Sequence, residues 1–126
     1  MEIGVDIIEL KRIEGAYSRY GRKFLERFLT QPEIALCLAK PSIVASIAGR
    51  FAAKEAVVKA LGTGISGGVF WKSFEVLNDS RGRPYVRVLD SACFPPACII
   101  KISIAHDRHS AVATALLNLG NLGDET

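Results

Sequence analysis

Glu55 and Lys59 lie four residues apart, with Arg50 and Lys54 just before them, in a stretch that reads as one long helix. At about 100° per residue, Val44, Ile47, Phe51, Val57, Val58 and Leu61 share one arc. Arg50 and Lys54 fall inside that arc, and Glu55 and Lys59 lie just beside it. Charges therefore stand where a core helix would carry apolar side chains. Ala48, Ala52, Ala56 and Gly62 on that side are too small to cover them, so the pattern predicts a shallow, charged hollow. A carboxylate among ammonium groups at the edge of a core is suited to holding a metal ion and a polyphosphate together. Two further ionisable residues stand in unusual places: Asp6 inside an apolar strand pattern, and His106 at the end of another. Each also has a plainer reading. Glu55 before Lys59 is the favourable order for an exposed helix pair, contributing about 0.3–0.5 kcal/mol. Arg50 and Lys54 can lay their methylene stems on apolar neighbours. A strand Asp is often an edge or capping residue, and a strand-end His a solvated one.

The elements that must position these residues follow from periodicity. Residues 3–8 alternate as a short strand, with Ile3, Val5 and Ile7 on one face and Gly4, Asp6 and Ile8 on the other. After Glu9 the pattern turns helical through Leu10, Ile13, Ala16, Tyr17 and Tyr20, with Lys11, Arg12, Arg19, Arg22 and Lys23 on or just after it. Thr30-Gln31-Pro32-Glu33 has the chemistry of a helix start, and a short helix should run to about Leu38. Ser42 can then cap the long central helix that ends near Gly62. The glycine-rich run 62–68 either lets backbone amides approach a phosphate or is a plain flexible turn. Ser73 to Leu77 and Tyr85 to Leu89 read as a hairpin. A second hairpin pairs the alternating stretch from Ile99 to His106 with Ser110 to Leu117. Helices first and strands later argue for an α+β domain in which a largely antiparallel sheet packs with a long central helix.

A chain of 126 residues is expected to form one domain, 1–126, with a core of its own. Its 49% hydrophobic and 23% charged content places it far from the disordered class. The formal charge of +3 favours acidic partners without being a nucleic-acid signature. Apolar runs too short to cross a bilayer, and a start without signal-peptide regions, lead to the expectation of a cytoplasmic protein. Cys37, Cys93 and Cys98 are odd in number and lack a C-x-x-C spacing, so neither a disulfide framework nor a zinc site is expected.

Three motifs carry a resemblance. Gly4-Val5-Asp6-Ile7 with Glu9-Leu10-Lys11-Arg12-Ile13 comes first, then Gly49-Arg50-Phe51-Ala52-Ala53-Lys54-Glu55 with Lys59-Ala60 and Gly62-Thr63-Gly64-Ile65, and last Ser103-Ile104-Ala105-His106. In this order and spacing the chain closely resembles the holo-acyl-carrier-protein synthases, the short bacterial-type phosphopantetheinyl transferases, from Gly4 to about Leu117. The resemblance implies transfer of the 4′-phosphopantetheine arm of coenzyme A to a serine of apo acyl carrier protein in fatty acid biosynthesis, with release of adenosine 3′,5′-bisphosphate.

By the same resemblance Asp6 and Glu55 are the ligands of Mg²⁺, a hard ion that takes one or two carboxylates together with phosphate oxygens. Glu55, Lys59 and His106 are the expected catalytic residues. Lys59 contacts the phosphates, Lys54 adds to the same field, and His106 lies near the pyrophosphate. The general base is open between a water on the metal and Glu55 acting through a water. The coenzyme site is expected to include Gly62, Gly64, Gly82, Arg83 and Pro84. Relatives often carry a basic pair where this chain has Pro41-Ser42, so Lys40, Arg50 or Arg83 is expected to meet the 3′-phosphate. Ala105 replaces a small hydroxyl residue found in many relatives. Arg12, with Arg19, Arg22 and Lys23, forms the expected docking surface for the acidic carrier protein. The family implies a homotrimer with sites at subunit interfaces, and neither nucleic acid nor membrane as partner. The rival readings are a non-catalytic basic module binding an acidic carrier protein or RNA, and a different coenzyme A-using transferase that would not need the paired acids.

Overall fold

The structure, a computed structural model, describes residues 1–62 and 68–118. The order of elements is β1 (Glu2–Glu9), α1 (Leu10–Tyr20), α2 (Arg22–Glu26), α3 (Gln31–Leu38), α4 (Ile43–Leu61), α5 (Gly68–Trp71), β2 (Phe74–Asn78), β3 (Pro84–Val88), a 3₁₀ turn (Ser91–Cys93), β4 (Ile99–His106) and β5 (Ser110–Asn118). The strands form two antiparallel sheets, a three-stranded one in the order β1-β5-β4 and the hairpin β2-β3. The α+β expectation holds, with the strands divided between two sheets.

α4 is the axis of the molecule and packs mainly on β1 and β5. Its small residues permit this. Ala48, Ala52 and Ala56 are fully buried, so the hollow expected on that side is absent and the sheet seats directly on the helix. Gly4 shows how close the two come: a Cβ there would sit 2.1 Å from the Ala56 carbonyl oxygen and 2.7 Å from the Ala60 nitrogen. Any side chain at this position would push β1, and with it Asp6, away from α4. The helix ends at Gly62, whose left-handed φ of 71° is a common C-cap conformation for glycine.

The alternation in β1 resolves in an unexpected sense. Gly4 and Ile8 face α4 along with Asp6, while Ile3, Val5 and Ile7 are 67%, 55% and 67% exposed. In cross-strand register the outward face continues as Leu116, Thr114 and Val112 on β5, and Lys101, Ser103 and Ala105 on β4. The side with the richer apolar triplet is thus the outside of the sheet.

α3 begins as its sequence requires, with the Glu33 carboxylate accepting the Thr30 backbone N–H at 2.8 Å. The Ser42 side chain makes no capping hydrogen bond at the start of α4. α2 is separated from α1 by Gly21, whose φ of 61° breaks the helical course.

Candidate active site

β1 and α4 bring Asp6, Glu55 and Lys59 together. The Lys59 ammonium lies 3.0 Å from the Asp6 carboxylate and donates to the Val5 carbonyl at 3.2 Å. Partial burial pushes the Glu55 carboxyl above its ordinary range, the nearby charge of Asp6 raises it further, and Lys59 pulls it down. Two carboxylates thus share one half-exposed cation. The cluster lacks positive charge, which is the condition that attracts a divalent ion. Among the described residues no group of three or more His, Cys, Asp and Glu stands ready for a metal. The donor set instead fits an ion that takes one or two carboxylates and completes its shell with water and phosphate oxygens.

A second set of residues lines a cavity of about 410 Å³ near the start of α4, with Lys40, Pro41, Ser42, Ser46, Gly49 and Arg50 on one side and Asn78, Gly82, Pro84, Ile104 and His106 on the other. Arg50 is only 5% exposed, and its bonded partners, the Ser46 hydroxyl and the Asn78 side-chain carbonyl, are both neutral. Among the described residues its Nε–H has no partner. A buried guanidinium without a counter-anion is expensive unless an anion arrives, so this cavity is built for a negatively charged ligand. His106 opens into it and also into an adjoining hollow edged by Arg108 and His109.

These two sets do not meet within one chain. Arg50 and Lys59 are nine residues apart along α4, as are Ser46 and Glu55, which places each pair about 180° apart around the helix. Across the sheet, Asp6 and His106 are two inter-strand spacings and two residues apart, with β5 between them, about 12 Å between backbones. The body of α4 lies between the two regions.

Several expected site residues lie elsewhere. Lys54 does not reach the phosphate region: it is fully buried, 2.9 Å from the Glu33 carboxylate, and donates to the Trp71 and Phe74 carbonyls. Arg83 borders a different groove, against Tyr85 and the edge of β4. Gly62 caps α4 and lines none of the cavities described here. Gly64 lies outside the described residues. On the docking surface Arg12, Arg19, Arg22 and Lys23 are all exposed, and Arg22 also lies 3.4 Å from Glu26 and donates to Gln31. Sequence reasoning missed Asn78, which follows directly on the first strand predicted for the hairpin and ends β2 beside the cavity. It also missed an aromatic groove of about 510 Å³, lined by Phe24, Arg27, Phe28, Phe51, Lys54, Glu55 and Trp71. Along its wall Phe28 meets Phe51 edge to face and Phe24 in a tilted contact. The helical spacing of Phe24 and Phe28 was the available signal.

Residues 2–115 match the 4′-phosphopantetheinyl transferase superfamily. The chain is similar to a holo-[acyl-carrier-protein] synthase of Chlorobium phaeovibrioides, 81% identical over 98% of each chain. Among solved structures it is similar to the Bacillus anthracis holo-(acyl-carrier-protein) synthase in complex with CoA (3′,5′-ADP), at 41% identity and a TM-score of 0.77, covering 92% of this chain and 94% of that one. It is likewise similar to the Helicobacter pylori holo-[acyl-carrier-protein] synthase in complex with coenzyme A, at 34% identity and a TM-score of 0.78, covering 92% and 99%.

Proposed function

The chain belongs to the 4′-phosphopantetheinyl transferase superfamily, and from that premise we propose how its two separated sets of charges serve one reaction. The reaction is transfer of the 4′-phosphopantetheine moiety of coenzyme A to a serine of apo acyl carrier protein. The serine oxygen forms a bond to the β-phosphorus, the bridging P–O bond breaks, adenosine 3′,5′-bisphosphate leaves, and the hydroxyl proton is lost. Such chemistry consists mainly of positioning and neutralising phosphate charge.

The observation that carries the reading is the Asp6–Glu55–Lys59 cluster, two carboxylates with one cation between strand and helix. Paired carboxylates repel a pyrophosphate unless a cation intervenes, which disfavours the rival of a simple basic binding module. Asp6 and Glu55 hold Mg²⁺ in this reading; when bound, the ion neutralises phosphate oxygens. Lys59 stands beside Asp6 as the second positive charge and stabilises the leaving phosphate. The nucleotide end enters the cavity of Arg50, with Lys40 at its rim and His106 beside the phosphates. Gly82 and Pro84 form its far wall. Arg12, Arg19 and Lys23 meet the acidic carrier protein.

Because the cluster and the cavity lie on opposite sides of α4, a complete site is formed by two copies of the chain, the cluster of one facing the cavity of the next. The exposed apolar face of the β1-β5-β4 sheet supplies the contact surface. A head-to-tail contact of this kind closes into a ring or runs on as a filament, and the ring proposed here is the homotrimer with sites at the subunit interfaces that the family resemblance implies. No helix among the described residues is long and apolar enough to cross a membrane; the cytoplasmic role in fatty acid biosynthesis is carried over from the family resemblance.

Intact mass spectrometry of apo acyl carrier protein after incubation with the enzyme, coenzyme A and Mg²⁺ tests this reading. A phosphopantetheine mass gain that a chelator abolishes is the expected result. A gain that persists in chelator contradicts the role given to Asp6 and Glu55, and a monomeric mass in solution contradicts the shared site.

A further inference from the structure

Lys54 sits next to Glu55 in the chain yet belongs to a different structure. Its ammonium has three N–H donors, and all are used, by the Glu33 carboxylate, the Trp71 carbonyl and the Phe74 carbonyl. It also lies 5.0 Å from the centre of the Phe74 ring. Glu33 in turn accepts the Val76 N–H at 2.7 Å and the Thr30 N–H, while the Thr30 hydroxyl donates to the buried Glu75 carboxylate. One lysine therefore joins α3, α4, the end of α5 and the start of β2.

The element with most to lose is α5, whose four residues are too few to hold a helix by themselves. Its last residue, Trp71, lines the aromatic groove with Phe24, Phe28 and Phe51, and Glu55 borders the same groove. Arg27 is part of this groove, and together with Lys23 it also edges the neighbouring hollow on α2, so the approach to Glu55 is apolar within and basic at its margin. An acidic helical protein offering an apolar side chain fits that approach, and the coenzyme cavity lies on the other side of α4.

We propose that Lys54 is a positioning residue for the acceptor: by holding the Trp71 carbonyl it fixes the wall of the groove along which acyl carrier protein brings its serine to Glu55. The inference rests on the transferase reading above and adds to it a residue that touches neither coenzyme nor metal. It separates acceptor effects from coenzyme effects, which a merely structural lysine would not do.

The test measures KM for carrier protein and for coenzyme A separately in wild type, Lys54→Met, Trp71→Ala and the double variant. Trp71 is the chain's single tryptophan, so its emission reports the wall directly. Both single variants are expected to raise the carrier KM about tenfold with the coenzyme KM within about twofold, and the double variant to be no worse than Lys54→Met alone. The emission of Lys54→Met is expected to shift to the red. If Lys54→Met does not fold, Lys54→Arg, which keeps the charge but alters its reach, carries the same expectation. Parallel rises in both KM values, multiplying effects in the double variant, or an unchanged carrier KM in Trp71→Ala would overturn the proposal. Wild-type turnover in the same assay keeps the two apart: its absence would fail the transferase reading and this inference with it, whereas normal wild-type turnover with an unchanged carrier KM in the variants would fail this inference alone.

Discussion

On one side of α4 the Lys54 ammonium is buried and has every donor engaged, with a carboxylate and two carbonyls around it. One residue further along, Glu55 is only partly buried, stands near the like charge of Asp6, and has half-exposed Lys59 as its nearest relief. Both regions are groups of charges on the same helix, and their difference is one of satisfaction. A saturated, dry group fixes the segments around it and has no capacity left to take up an ion. An under-neutralised group at the surface keeps the capacity to take up a cation and a phosphate. Arg50 is an intermediate case, buried like Lys54 but, among the described residues, bonded only to neutral partners and with one N–H left open.

The largest expected effect separates the two regions by activity. Asp6→Ala and Glu55→Ala should each lower kcat by about a thousandfold or more while the circular dichroism spectrum stays native. Near-wild-type turnover in either variant would remove the distinction. The converse holds for stability. Glu33→Gln leaves the Lys54 charge buried without its partner, and urea unfolding should show a loss of about 3–5 kcal/mol. A loss below 1 kcal/mol, the value of an exposed pair, would mean that the buried group is wet.

How much of this comparison was legible in the chain depended on whether a residue's role is set locally. The i, i+4 spacing of Glu55 and Lys59 and the acid inside β1 marked the reactive cluster, and the structure brings those residues together. Lys54 was expected to join them because periodicity places a residue on a face but says nothing of its partners. Glu33 and the carbonyls beyond Trp71 come from distant segments that only the tertiary fold gathers. The alternation in β1 likewise defined two faces without saying which is buried. What turns the acid-bearing face inward is the close seating of Gly4 on Ala56, a packing relation between remote residues. The separation of the cluster from the Arg50 cavity was in principle readable, since residues nine apart on a helix point in opposite directions.

Smaller effects sharpen the account further. In the metal-free protein, the Glu55 carboxyl should titrate above the ordinary glutamate value of 4.5, followed by NMR. Asp6→Asn should bring that midpoint down and Lys59→Met should move it up; the reverse order would mean that the two carboxylates do not face each other. Smallest are the effects at the docking surface. Neutralising Arg12, Arg19 or Lys23 should raise the carrier KM by about two- to fivefold each. The coenzyme KM should not change, and the effect should fade as salt rises toward physiological strength. A salt-independent change would point to packing instead of charge.

Equilibrium unfolding of wild type, Lys54→Met and Glu55→Gln, compared at neutral pH without metal, tests the central contrast most directly. The native Glu55 carboxyl binds its proton more tightly than the unfolded one, so stability falls as pH rises from the unfolded toward the folded pKa, and the deficit persists at neutral pH. Removing that charge in Glu55→Gln should therefore raise the midpoint, whereas Lys54→Met should lower it. Equal destabilisation by both substitutions would contradict the account, because Glu55 would then be a satisfied structural charge like its neighbour.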